Sequence, residues 1–67
     1  MKEFKVGDPV RILSMGGHET VIEEVDDKPW KEGNFVSNET RYWSRYKGEL
    51  LYCLDIEMEH LSKRFNY

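Results

Sequence analysis

The residues of this chain that are best suited to chemistry lie between positions 41 and 47, where cations alternate with aromatic rings. The cations are Arg41, Arg45 and Lys47, and the rings are Tyr42, Trp43 and Tyr46. Single-stranded nucleic acid is bound by such sets, because cations meet the phosphates and every base offers a flat face for stacking. The plainer interpretation is a strand that packs its rings inward while its cations are solvated. The formal net charge of −3 favours the plainer interpretation, because an acidic chain repels a polyanion.

Two further rings, Trp30 and Phe35, lie in the stretch 26–39, which we expect to be an inserted loop. Long loops in small domains tend to carry function or to be disordered. Large aromatic side chains in such a loop either pack back on the domain or serve as anchors for a partner. We therefore expect a partner-binding surface that joins this loop to the strand at 41–46. Its candidate residues are Trp30, Phe35, Tyr42, Trp43, Arg45 and Tyr46.

Signals for catalysis or for metal binding are weak. His18 and His60 have no Cys or second His at a ligand spacing, which argues against zinc. Three acidic residues recur at period two within 55–59, but a linear row of carboxylates does not converge on a cation. Cys53 lies in an apolar run and is typical of a small core residue, not of an activated nucleophile. We expect no catalytic residue, no metal site, no cofactor and no enzymatic activity.

Length and composition indicate one small folded domain spanning residues 1–67. The 67 residues leave no room for a second core. A hydrophobic content of 39% with nine aromatic residues is too rich for a disordered chain. The single cysteine and the absence of an apolar N-terminal run favour a cytoplasmic protein with no membrane partner.

Turn residues divide the chain into strand-length segments. Gly16 and Gly17 separate segments 10–14 and 20–25, and Lys47-Gly48 separates 40–46 from 49–56. We expect two hairpins, one helical turn at 57–61 and a last short strand at 63–66. Ile22 and Val25 are three residues apart, so a β-bulge near Glu23-Glu24 is needed if both point inward.

This pattern predicts a mostly β fold, a small five-stranded SH3-like barrel with one short 3-10 or helical turn before the last strand. An OB-like barrel or another small sheet is the main alternative.

The start of the chain carries a family resemblance. Residues Phe4-Lys5-Val6-Gly7-Asp8-Pro9-Val10, the Gly16-Gly17 pair and the β-branched stretch 20–25 resemble the opening hairpin of the YodC-like family of small bacterial proteins. The resemblance covers mainly residues 4–25 and implies a compact, mostly β domain of unassigned function. The family's later Cys-x-Trp-Phe-x-Gly stretch is not matched, because Arg45 stands where its tryptophan is expected.

Three functions of different classes follow from these residues. The leading one is a non-enzymatic binding module that recognises a protein partner through its aromatic surface. The alternative is a nucleic-acid-binding barrel that uses Arg41, Trp43, Arg45 and Lys47. The third is a structural protein that forms a homo-oligomer, since a small barrel has a thin core of its own.

Overall fold

The computed structural model describes residues 3–61, which form strands and two short 3-10 turns but no α-helix. The mostly β prediction is therefore confirmed. The strands are β1 (Pro9–Ile12), β2 (His18–Val21), β3 (Glu24–Asp26), β4 (Trp30–Glu32), β5 (Phe35–Ser37), β6 (Arg41–Tyr46), β7 (Glu49–Cys53) and β8 (Met58–His60). The 3-10 turns are Leu13–Met15 and Asp55–Glu57. Within this part of the chain, no helix has the length and apolar character needed to cross a membrane.

The strands pair into three small antiparallel sheets. Their orders are β2-β1-β8, β3-β6-β7 and the two-stranded ribbon β4-β5. This differs from the predicted five-stranded barrel, because residues 3–61 form eight strands in three open sheets. The extra strands arise where one predicted strand breaks in two and where the predicted loop pairs with itself.

The predicted strand at 20–25 breaks at Ile22 and Glu23, where the chain passes from the first sheet to the second. The amide of Ile22 donates to the Asp8 carbonyl at 3.0 Å, whereas the amide of Glu23 donates to the Trp43 carbonyl at 2.8 Å. Ile22 is buried and Val25 packs against the core. Both side chains point inward, which was the condition for the predicted bulge, but the strand breaks at this place instead.

The hydrophobic core lies between the two three-stranded sheets. Burial alternates along β1 and β6, because successive side chains of a strand point to opposite faces. The ring of Phe4 meets that of Tyr42 edge to face, with centroids 5.2 Å apart. The buried apolar residues are Phe4, Val10, Ile12, Ile22, Tyr42, Cys53 and Met58.

The two predicted hairpin turns have different geometries. The first is not a tight Gly-Gly turn, because Leu13–Met15 form a 3-10 turn before Gly16 and Gly17, so that Ile12 pairs with His18. The second hairpin, β6-β7, is confirmed. Its turn residues Lys47 and Gly48 both have positive φ, at 53° and 84°. Two positive φ angles match a two-residue turn to the right-handed twist of the strands.

The end of the described chain also differs from expectation. The 3-10 turn lies at Asp55–Glu57 instead of 57–61, and Met58–His60 form the strand β8 beside β1. The Glu57 carboxylate accepts a hydrogen bond from the Leu54 amide at 2.8 Å, which closes this turn. The strand predicted at 63–66 lies outside the described residues.

The stretch 26–39 is not the open loop that we expected. It contains the end of β3 and the whole ribbon β4-β5, whose strands are joined by Gly33 and Asn34. The ribbon connects β3 to β6 and stands beside the outer face of their sheet. Its position determines the site described next.

Candidate binding surface

The outer face of the β3-β6-β7 sheet gathers charged and aromatic side chains. On β6, Arg41, Trp43 and Arg45 share this face, as their alternation predicts. Cross-strand register places Asp26 of β3 opposite Arg41 and Tyr52 of β7 opposite Trp43. Directly opposed residues on one face are in contact distance, so this register builds the centre of the surface.

The Arg41 guanidinium lies among three aromatic rings and one carboxylate. Its central carbon is 4.8 Å from the Trp30 ring centroid, 5.5 Å from that of Trp43 and 5.4 Å from that of Tyr52. Its Nη2 donates to Oδ2 of Asp26 at 2.8 Å. A cation over an aromatic face is attracted by the ring quadrupole, so Arg41 holds the three rings together.

Trp30 is docked on this sheet from the ribbon. Its indole Nε1 donates to the Glu39 carbonyl at 2.7 Å, and its ring meets Tyr52 at a centroid distance of 5.5 Å. Tyr52 in turn meets Trp43 at 5.3 Å. Both ring pairs are inclined by 60° or more, an edge-to-face arrangement that aromatic quadrupoles favour. Trp30 therefore packs back on the domain, which was one of the two expectations for it.

Phe35 extends this aromatic surface along the ribbon. Glu32 is paired with Phe35, and Trp30 lies two residues before Glu32, so Trp30 and Phe35 share one ribbon face. Phe35 is 63% exposed, and Val36 on the opposite face is 62% exposed. Neither face of the ribbon tip is thus covered by the body of the domain. We call the set Trp30, Phe35, Trp43 and Tyr52 the aromatic strip.

The charges around the aromatic strip are largely neutralised. The Lys28 amide and the Arg41 guanidinium both bond the Asp26 carboxylate and lower its pKa, the amide being the larger cause. Arg45 pairs with Glu23 at 3.3 Å and also donates to the Gly48 carbonyl. With Arg11 bound to two glutamates, every arginine of residues 3–61 is in an ion pair.

Two of the expected surface residues lie away from the aromatic strip. Tyr42 is only 5% exposed and faces the core, on the opposite side of β6 from Trp43. Tyr46 points the same way and meets the His18 ring edge-on at 4.8 Å. Tyr42 and Tyr46 are therefore not part of one continuous surface with Trp30. Lys47 stands 5.5 Å from the centroid of the Tyr46 ring.

The side chains weighed for catalysis or metal binding are separated from one another. Cys53 is fully buried, and burial raises the pKa of its thiol to about 11. The imidazole of His18 bonds the Arg45 carbonyl, and that of His60 bonds the Glu3 carbonyl while stacking on Phe4. Within residues 3–61, no three His, Cys, Asp or Glu side chains are grouped so that they could hold a metal ion.

Two members of the site, Tyr52 and Asp26, were missed by the sequence reasoning. A signal for Tyr52 was present, because a two-residue Lys47-Gly48 turn fixes a register in which Trp43 faces Tyr52. The pairing of Asp26 with Arg41 depends on the strand break at Ile22, which no local pattern marks.

Comparison with protein-family models, with curated proteins and with solved structures gives no significant match for this chain.

Proposed function

We propose that this protein is a small non-enzymatic binding module that recognises a segment of a partner protein through the aromatic strip. The observation that carries the proposal is the docking of Trp30 on Tyr52, which also contacts Trp43, with the exposed Phe35 continuing the same surface. Aromatic residues are the commonest anchors of protein interfaces. Here three of them are already held in place before any partner arrives.

Pre-organisation is the physical reason why these rings suit binding. Immobilising a flexible side chain at an interface costs about 0.5–1.5 kcal/mol. Trp30 has already met that cost, because its indole is fixed by the Glu39 carbonyl and by Arg41. A partner that covers the strip gains apolar contact and displaces water without ordering these rings. Phe35 is the exposed end of the surface.

A protein ligand is better supported than a nucleic acid. Of the cations that would hold phosphates, Arg41 is bound by Asp26 and Arg45 by Glu23. A phosphate would have to displace a carboxylate from each, which removes most of the electrostatic gain. Lys47 has no carboxylate partner within the described part of the chain, but one cation makes a small footprint.

We also propose that the chain has the fold of an SH3-like barrel. If β2 and β3 are taken as one bent strand and the ribbon as an insertion, five strands remain. They run β1, β2-β3, β6, β7 and β8, with a 3-10 turn before the last strand. This order supports a five-stranded SH3-like arrangement. We also keep, as a proposal, the kinship to the YodC-like bacterial family and a cytoplasmic location, which a lone buried thiol suits.

The proposal is tested by selecting ligands from a displayed library of random peptides and measuring the affinity of one selected peptide by calorimetry. We expect peptides with apolar or aromatic anchors. Phe35→Ser should weaken the selected peptide by more than about fivefold, because truncating an interface anchor costs over ~1 kcal/mol. Val36→Ser is the matched control, since it makes a similar change at equal exposure on the other ribbon face.

Salt separates the two ligand classes. Peptide affinity should change little between about 0.05 and about 0.5 M salt, because apolar contacts are not screened. The nucleic-acid alternative requires an oligothymidine to bind with a log–log salt slope of roughly −2, for about three contacted phosphates, and Arg45→Glu to abolish that binding. Such a result, with no peptide selected, would replace the proposal. If the molecular mass of the protein in solution instead rises with its concentration, and Phe35→Ser abolishes this rise, the homo-oligomer is favoured.

A further inference from the structure

A second surface lies on the other side of β6 from the aromatic strip. A cleft of about 640 Å³ opens beside Tyr42, Val25 and Phe4, which form its apolar floor. Val25 is the cross-strand partner of Tyr42, and Phe4 meets the Tyr42 ring edge to face. A volume of this order is within the range that binds small ligands or a few side chains. We call it the acidic cleft because of its rim.

The rim of the acidic cleft carries four carboxylates and one cation. Among residues 3–61 the carboxylates are Glu3, Asp27, Glu39 and Asp55, and the cation is Lys5. None of these four carboxylates is in an ion pair within residues 3–61, whereas those of Glu19, Glu23, Asp26 and Glu59 are all bound by arginine. Within residues 3–61, carboxylates thus outnumber cations by four to one on the rim of this cleft, which opens onto buried apolar side chains.

We propose that the acidic cleft binds a basic segment of a partner protein, with at least two Lys or Arg side chains. Such a side chain has an apolar stem and a cationic head. The stem would pack on the floor formed by Val25 and Tyr42, and the head would meet a rim carboxylate. Asn38 and Thr40 on the same rim offer hydrogen bonds to the peptide backbone.

The arrangement of the charges favours a peptide over a metal ion. No three carboxylates or imidazoles of residues 3–61 converge as a cation site, so the four rim charges act at separate points. A hard divalent cation needs several converging oxygens. An extended segment with spaced cations can form a separate ion pair with each carboxylate. Its apolar stems can also pack on the floor of the cleft, which a hydrated ion cannot do.

The test uses the full chain and a blocked peptide in which two Arg alternate with Gly, compared with the same peptide carrying citrulline, which is uncharged and of the same shape. Binding is measured by calorimetry, and its position by amide chemical shifts. We expect the Arg peptide to bind and to shift Val25 and Tyr42, and the citrulline peptide to bind at least tenfold more weakly. Raising the salt should weaken the Arg peptide, because its contacts are exposed charges.

Charge-removing variants locate the site. Asp27→Asn and Glu39→Gln should each weaken the Arg peptide about two- to fivefold, the effect of one exposed ion pair. Glu49→Gln is the matched control, because it removes the same charge at the far end of the β6-β7 hairpin. Phe35→Ser should change nothing, so this proposal and the one on the aromatic strip fail independently.

Four results would overturn the proposal. The first is equal binding of the Arg and citrulline peptides, and the second is equal binding by the wild type and both rim variants. The third is spermine binding as tightly as the Arg peptide, which would show that the acidic cleft takes any polycation. The fourth is a more than tenfold tighter binding of the peptide after Lys63 and Arg64 are both replaced by Gln, which would show that the chain's own end, and not an outside partner, is the basic segment that the acidic cleft binds.

Discussion

Replacing Trp30 by Ala should release the ribbon β4-β5 from the domain. The side chain of Trp30 provides a hydrogen bond to the Glu39 carbonyl, an edge-to-face contact with Tyr52 and a cation–π contact with Arg41. These interactions are worth about 0.5–1.5, 0.5–1.5 and 0.5–1 kcal/mol respectively. We therefore expect Trp30→Ala to reduce the free energy of ribbon opening by about 2–3 kcal/mol. A two-stranded ribbon is marginal by itself in water, so little else holds it.

Native-state amide hydrogen exchange measures this opening directly. The cross-strand amides of residues 30–37 should exchange about 30- to 150-fold faster in Trp30→Ala than in the wild type. Amides in β1 and β8 should change much less, because the core does not involve Trp30. Trp30→Phe is the graded control: it keeps a ring but removes the indole donor, and we expect roughly a third of the effect.

Unchanged exchange across residues 30–37 in Trp30→Ala would refute this account of the ribbon. The ribbon would then be held by its own cross-strand bonds, and the aromatic strip would not be pre-organised. Equal acceleration in every strand would also contradict it, because that result would make Trp30 part of the cooperative core.

Three further predictions concern individual residues. Lys47→Asn should stabilise the protein by about 0.5–1 kcal/mol in urea unfolding, because Asn tolerates the positive φ that Lys47 adopts; no gain would contradict the turn geometry. Burial raises the pKa of the Cys53 thiol to about 11. The thiol should therefore react with a disulfide reagent at pH 8 at least ~100-fold more slowly in the folded protein than in the urea-unfolded protein. Similar rates in the two states would show that the core is open to the reagent. The Asp26 carboxyl should titrate below its ordinary pKa of 3.8 by NMR, because Lys28 and Arg41 bond its charged form. A carboxyl whose pKa is lower in the folded than in the unfolded protein stabilises the fold above the unfolded pKa, and this stabilisation is lost as the pH falls through the folded pKa. Asp26→Asn should therefore lose less stability than the wild type as the pH falls below about 4. An equal loss of stability in the variant and the wild type would contradict this prediction.

The parts of the fold that could be predicted were set by local chemistry. The β-branched segment with Val10 and Ile12 gives β1, and Lys47-Gly48 gives the β6-β7 hairpin. The ribbon did not follow from the sequence pattern, because its strands have only three residues each and two of the three in β4 are charged. A signal was present nonetheless: Gly33-Asn34 lies between Trp30 and Phe35 at the spacing of a two-residue hairpin.

The candidate site was predicted only in part, for a physical reason. Alternation along β6 correctly placed Arg41, Trp43 and Arg45 on one face. Which of the two faces is covered by the core depends on pairing between distant strands, so the burial of Tyr42 did not follow from β6 alone. The neutralisation of Arg41 by Asp26 has the same origin, because it requires β3 to leave the first sheet and pair with β6.

The most direct test of the aromatic strip is an NMR titration of the labelled protein with the selected peptide. The account predicts that the indole signals of Trp30 and Trp43 and the amide of Phe35 shift together and saturate at one affinity. It also predicts that Phe35→Ser weakens all of these shifts, whereas Val36→Ser leaves them unchanged. Shifts confined to β1, β2 and β8, with the two indoles unaffected, would contradict the claim that this surface binds the partner.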